Sequence, residues 1–307
     1  MALPSTEAIS SAHEALDTWD VPTLLSSLWE GQLTAVAALG PSLPALARAT
    51  EAAATRLSAG GRLVYAGAGT SGRIAVQDAV ELVPTFDWPQ DRLVLLLAGG
   101  EAALMRSVED AEDRTDAAHD VTADDVLVGV AASGATPFTV AAVRSAREQG
   151  ALTIAVANSA GPLLDVAEFP VLIETGPEAI AGSTRMKAGT AQKVALNLFS
   201  TALMVRLGRV YRGRMVDMQA RNAKLRARAV RMLCELTDCT PAAARSALDD
   251  ADGKVKLAVL LVHGMTRDEA ETLLARHGGS LRLALRTRPA KRELTAGLPF
   301  RPASQPR

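Results

Sequence analysis

Residues 67–86 read GAGTSGRIAVQDAVELVPTF, and both ends of that stretch carry residue types that can do chemistry. At its start, Gly67-Ala68-Gly69-Thr70-Ser71-Gly72 joins an apolar run to a helical pattern. Glycines there permit a tight turn and bring backbone N–H groups against an oxyanion. Thr70 and Ser71 add hydroxyl donors suited to a phosphomonoester. At the far end, Glu81 sits in an apolar run, Ala79-Val80-Glu81-Leu82-Val83. A lone glutamate in such company is expected to be partly buried, which raises a carboxyl pKa. A second hydroxyl loop, Ser133-Gly134-Ala135-Thr136, precedes Pro137, a residue suited to a first helical turn. Between the loops lies an acidic cluster, Glu109-Asp110-Ala111-Glu112-Asp113. Together these segments predict a phosphosugar site with acid–base chemistry.

Each segment also has a plainer reading. Ser71, Ser133 and Thr136 could cap the helices that they open. Glu81 could be a solvated helix-end residue, and Glu112 one member of a solvated acidic face. Gly67 to Gly72 formally match a dinucleotide fingerprint, but that fold places a ribose-binding acid at the end of the next strand. Here that strand ends in Ala98-Gly99-Gly100, and Glu101 follows it. Farther on, Ser183, Thr184, Arg185 and Lys187 precede a long helical pattern. They could hold a phosphate, a carboxylate or a partner subunit, or simply cap that helix.

Alternating strands and helices must position these groups. Short apolar runs at 62–67, 92–99, 125–132, 152–158 and 169–175 read as strands of a parallel sheet, buried on both faces. Amphipathic segments at 73–82, 101–118 and 137–149 read as the helices between them, and 43–58 and 187–207 as flanking helices. The order βαβαβ predicts a doubly wound α/β domain. Residues 216–236 continue in helical style. Three short helices fit 241–249, 253–263 and 266–276, the first opened by Thr240 and Pro241. The expected organisation is an N-terminal helical segment (1–42), the main domain (43–236), a small helical module (237–285) and a basic, mobile tail (286–307).

Bulk composition narrows the function classes. The chain has 307 residues, 33 basic and 34 acidic, for a net charge of −1, so no general attraction to nucleic acid or anionic membrane is expected. Aromatics make up 3%, which leaves the core to Leu, Val, Ile and Ala. Two cysteines, Cys234 and Cys239, make no disulfide framework and imply a reducing, cytoplasmic setting. Four histidines lie scattered, so no metal site is expected. The first twenty residues lack a signal-peptide pattern, and no uncharged run approaches the ~20 residues that span a bilayer.

The chain resembles the N-acetylmuramic acid 6-phosphate etherases, within the wider sugar isomerase (SIS) domain group. The resemblance rests on GRLVYAGAGTSGRIAVQDAVELVPTF (61–86), AGGEAALMRSVEDAED (98–113), GVAASGATPF (129–138), AGSTRMKAGTAQKVALN (181–197) and MVDMQARNAKLRARAV (215–230). The end, LLARHGGSLRLAL (273–285), resembles the family's small ubiquitin-associated-like (UBA-like) module. It implies a parallel-sheet SIS domain in a homodimer, with a sugar phosphate held by Gly69, Thr70, Ser71, Ser133, Gly134, Thr136, Ser183, Arg185 and Lys187. It implies cleavage of the D-lactyl ether to give N-acetylglucosamine 6-phosphate and D-lactate, with no metal or redox cofactor. The family's two catalytic acids fall on Glu81 and Glu112, and the chemistry assigns Glu112 as base and Glu81 as acid.

Two departures stand against the family pattern. The opening segment that closes over substrate has its threonine-glutamate, Thr6-Glu7, but not the arginine-asparagine after it. The cysteine-proline after the first catalytic glutamate is Leu82-Val83 here. The altered amino terminus motivates one alternative, a non-catalytic sugar-phosphate sensor of the glucokinase-regulator type.

Overall fold

The computed structural model describes residues 4–115, 120–218, 220 and 222–288. The expected tail beyond 288 and the end of the expected 101–118 helix fall outside them. Two compact units divide the chain, Met1–Met218 and Gln219–Arg307. In the first, the order is α1 (Val21–Ala37), α2 (Leu43–Ser58), β1 (Leu63–Gly67), α3 (Gly69–Phe86), β2 (Leu93–Leu97), α4 (Ala102–Met105), β3 (Val126–Ala131), α5 (Pro137–Glu148), β4 (Leu152–Ala157), α6 (Pro162–Val166), β5 (Phe169–Leu172) and α7 (Lys187–Arg206). A hairpin, β6 (Val210–Tyr211) and β7 (Arg214–Met215), closes it.

The five long strands form one parallel sheet in the order β2-β1-β3-β4-β5. Side chains alternate between its faces because successive strand residues point opposite ways. Leu63, Tyr65, Val126, Val128, Ile154 and Val156 pack with α2, α3 and α7 on one face. Val64, Ala66, Leu127 and Ala155 pack with α5 and α6 on the other. Helices on both faces make the domain doubly wound, as the strand runs predict. No described helix is long and apolar enough to cross a membrane.

The order reverses between β1 and β3: β2 lies on one side of β1 and β3 on the other. In open α/β sheets such a switch point leaves a crevice at the carboxyl ends of the strands. The loops at 67–72 and 132–136 leave β1 and β3 there. Strand spacing at the opposite edge is pinned by Asp125, which is 1% exposed. Its carboxylate accepts hydrogen bonds from Arg62 Nε (3.1 Å), Arg62 Nη2 (2.7 Å) and the Thr122 backbone N–H (2.8 Å). Burial alone would raise its pKa; the hydrogen bonds from Arg62 and Thr122 outweigh that and lower it to about 2.

Three expectations need correction. Residues 101–118 do not form one helix: α4 lasts four residues, and Ala111–Asp113 make a single 3-10 turn. Arg106 (φ −147°, ψ 160°) is extended and Asp110 (φ 57°) left-handed, backbone that a continuous helix cannot contain. The loop instead folds back until Val108 Cβ lies 2.9 Å from where a side chain at Gly99 would begin. The helical style expected from 216 sets in only at Ala223, and residues 210–215, which the sequence left unassigned, are a hairpin turned by Arg212 (φ 47°) and Gly213 (φ 71°), the positive pair of a two-residue hairpin turn. The division after the main domain falls at Met218 rather than at 236. The helix α8 (Ala223–Thr237) packs on α9 (Pro241–Asp250) and α10 (Val255–Val262) of the second unit. That unit continues through α11 (Arg267–Arg276) and α12 (Leu281–Thr287). Its core holds Leu233, Leu248, Leu257, Leu260 and Leu281. Thr240 caps α9 as its sequence predicts, accepting from the Ala243 N–H.

Candidate active site

The site grows out of the switch point. At the end of β1, Gly67 and Gly72 let strand and helix approach until a Cβ on Gly72 would meet Gly67 C and O at 2.8 Å. Helix α3 therefore begins at Gly69 (φ 52°), directly above the sheet edge. No side chain caps it: its N-cap is Ala68, and Ser71 is buried within the first turn. That turn keeps free N–H groups and the positive end of an 18-residue helix for an outside anion. Ser71 thus does not act as the cap of its own helix.

The second loop faces the same crevice. Gly134 (φ 68°) is pressed against the turn after β4, where a Cβ would stand 2.6 Å from Ser159 O. Thr136 is the N-cap of α5 but makes no side-chain capping bond. Ser133 Oγ accepts from the Ala135 N–H at 3.2 Å. One side of the crevice also carries a cleft of about 520 Å³ lined by Val76, Leu97, Gly99, Glu101, Arg114 and Phe138.

The 181–187 segment joins the cluster through α7. A Cβ on Gly189 would lie 3.3 Å from Ile74 Cδ1 and 3.7 Å from Thr70 Cγ2, so the first turn of α7 abuts the first turn of α3. Neither Ser183 nor Thr184 caps α7. Glu178, fully buried, does so: its two carboxylate oxygens accept the Lys187 and Ala188 N–H groups at 2.9 Å each. A carboxylate of the protein already occupies the anion position at that helix end. Only the side chains of Ser183, Arg185 and Lys187 remain to meet a ligand there, Arg185 exposed and Lys187 half-buried. Sequence reasoning missed Glu178, because nothing in GPEAI marks it for partners nine and ten residues on.

The two glutamates take different positions. Glu112 is exposed on its 3-10 turn, and its Oε1 lies 2.9 Å from where a Gly69 Cβ would be. It therefore leans over the mouth of the first loop. Glu81 is exposed, against the expectation of partial burial. Helix α3 turns Ala79 and Leu82 into the core and leaves Val80 46% exposed, so Glu81 stands on an outward apolar ridge. It lies twelve residues past Gly69, roughly 18 Å along the helix. No glutamate side chain closes that gap within one chain. Among the described residues, no group of three or more His, Cys, Asp or Glu could hold a metal ion.

One turn before Glu81, buried Asp78 anchors the helix. It accepts from Tyr65 Oη (3.1 Å), Asn197 Nδ2 (2.5 Å) and Ser200 Oγ (3.2 Å), tying α3 to β1 and α7. Burial and the Asp78 carboxylate push the Tyr65 hydroxyl well above its ordinary pKa, so it stays a donor.

The glucokinase regulatory protein N-terminal SIS domain family matches residues 45–147, and the SIS domain family matches residues 103–202. An N-acetylmuramic acid 6-phosphate etherase of Deinococcus radiodurans is 49% identical over 91% of this chain and 94% of its own length. Enzymes of that name from Streptomyces coelicolor (45% identical, 92% and 93% covered) and Mycolicibacterium smegmatis (43%, 91% and 97%) are also similar.

Proposed function

The chain belongs to the N-acetylmuramic acid 6-phosphate etherase family, and from that premise we propose that it cleaves the D-lactyl ether of this sugar phosphate. It is a carbon–oxygen lyase of amino-sugar recycling, giving N-acetylglucosamine 6-phosphate and D-lactate. The observation that carries this reading is etherase similarity along nine-tenths of the chain, with Glu81 and Glu112 inside the matching segments. The regulator-type match stops at residue 147, which leaves that alternative with less support.

The chemistry follows from the groups at the switch point. The N–H groups of Gly69 to Ser71, with the hydroxyls of Thr70, Ser71, Ser133 and Thr136, take the phosphate. Gly134 brings the second loop close. Arg185 and Lys187, with Ser183, supply positive charge and a donor for the remaining anionic end, the lactyl carboxylate. Once the sugar ring opens, its aldehyde acidifies the C2 proton, and Glu112 removes it. The C3–O bond then breaks as Glu81 protonates the leaving lactate oxygen. Water adds back at C3. Each positioned acid or base is worth ~10²–10⁴-fold in rate.

The two glutamates act in one site when Glu81 comes from a second copy. Three things support a homodimer: the ~18 Å separation along α3, far beyond side-chain reach; the exposed ridge of Val80 and Glu81; and the apolar surface of Leu104, Met105 and Val108 near Glu112, with Met105 92% exposed. Two unpaired cysteines and a phosphorylated substrate support work in the cytoplasm.

The direct test is incubation of the purified chain with the substrate in water labelled with ¹⁸O. Elimination and hydration place the label on the sugar product and leave D-lactate unlabelled. Label in lactate, or no lactate at all, overturns the reading.

A further inference from the structure

Glu112 is held in place by its loop alone. Among the described residues its carboxylate makes no hydrogen bond or ion pair. Its position over Gly69 therefore depends on what anchors residues 98–113. Two of the anchors are apolar: Val108 folds against Gly99, and buried Ala111 packs with Ala68, Ala98 and Phe138. Such contact is non-directional and does not fix a loop's register by itself. The third anchor is directional and comes from α3. Arg73 Nε donates to Ala103 O at 2.8 Å, and Arg73 Nη2 donates to Arg106 O at 3.3 Å.

The two carbonyls lie in and just after α4, a four-residue helix with no further turn to satisfy them. A guanidinium presents its donors in a rigid planar fork, so two carbonyls gripped by one such group cannot shift independently. Arg73 is half-buried and stands four residues after Gly69, about one turn along α3. The end of α3 whose N–H groups face the phosphate loop thus also grips the loop that carries Glu112.

Resting on the proposed activity, we infer that Arg73 is a positioning residue that sets the Glu112 carboxylate relative to the bound phosphate. It acts on the reaction through Glu112 and is not itself a phosphate ligand, because Nε and Nη2 are spent on the loop carbonyls. Phosphate binding needs the first turn of α3, which Arg73 does not build. Proton removal at C2 needs the base within reach, and a misplacement of ~1 Å can cost ~10²-fold in rate. The contribution of Arg73 is therefore expressed in kcat rather than in KM.

Two variants test this. Arg73→Met keeps an apolar stem and removes both donors, and Arg73→Lys keeps the charge without the fork. Lactate release is expected to fall ~10²-fold in kcat for Arg73→Met and ~10-fold for Arg73→Lys, with KM within ~3-fold. Exchange of the C2 proton should slow by the same factors. In a Glu112→Ala background, Arg73→Met should cost no more than ~2-fold further, since the group that it positions is gone. A general loss of structure would cost as much there as in the wild type. Trypsin should also cut after the exposed Arg106 at least ~10-fold faster in Arg73→Met. That readout needs no turnover, so it tests the anchor even if the wild type releases no lactate, which would be a failure of the activity itself. Equal losses in the two backgrounds, a raised KM at constant kcat, or unchanged cleavage after Arg106 overturns the inference.

Discussion

Glu112→Ala and Glu81→Ala are each expected to lower the rate of D-lactate release by ~10²–10⁴-fold while leaving the fold intact. Both side chains are exposed and make no hydrogen bond or ion pair among the described residues. Surface changes of that kind usually alter stability by no more than ~0.5 kcal/mol. A large loss of rate at constant thermal midpoint is therefore chemical. The two losses should also differ in kind. Glu112→Ala removes the base, so exchange of the C2 proton with solvent stops along with lactate release. Glu81→Ala removes the acid, so proton exchange at C2 continues while lactate stays bound to the sugar. Full activity in either variant contradicts the assignment.

Gly72→Ala is expected to abolish activity by a different route. Its new methyl would sit 2.4 Å from Leu97 Cδ1 and 2.8 Å from the Gly67 carbonyl group. Leu97 can rotate away, but the Gly67 backbone belongs to β1 and cannot. The start of α3 must lift off the strand, at a cost of ~1–3 kcal/mol for overpacking. The same lift carries the N–H groups of Gly69 to Ser71 away from the phosphate, and a misplacement of ~1 Å can cost ~10²-fold in rate. Gly40→Ala is the control, because a Cβ there meets nothing within 4 Å. Rate and thermal midpoint should both fall for Gly72→Ala and hold for Gly40→Ala. A Gly72→Ala enzyme of normal activity would mean that the close strand–helix approach does not set the phosphate loop.

The strands were legible because burial on both faces demands unbroken apolar runs, such as VLVGVA in β3 and LTIAVA in β4. The first loop was legible for a related reason, since Gly67 and Gly72 are the residues that such an approach permits. The acidic loop misled because EAALM has high helix propensity, but the helix it starts ends where Arg106 turns extended, and Asp110 takes left-handed backbone soon after. Glu81 misled in another way. Its apolar neighbours suggested burial, but Val80 is turned outward, and only a three-dimensional surface shows an apolar run split between core and solvent. Glu178 was not legible as a site residue at all. Its role arises from contacts with the Lys187 and Ala188 N–H groups, and no local pattern records it.

The central claim is that one chain's Glu112 and its partner's Glu81 share a site, and mixed dimers test it most directly. Neither variant is expected to release lactate at more than about a hundredth of the wild-type rate by itself. If Glu81→Ala and Glu112→Ala chains are co-expressed and pair at random, half the dimers are hybrids, and each hybrid has one site with both glutamates. Lactate release should then recover to about a quarter of the wild-type rate, as expected for a two-fold assembly. A mixture that forms dimers but stays as inactive as its components contradicts the shared site.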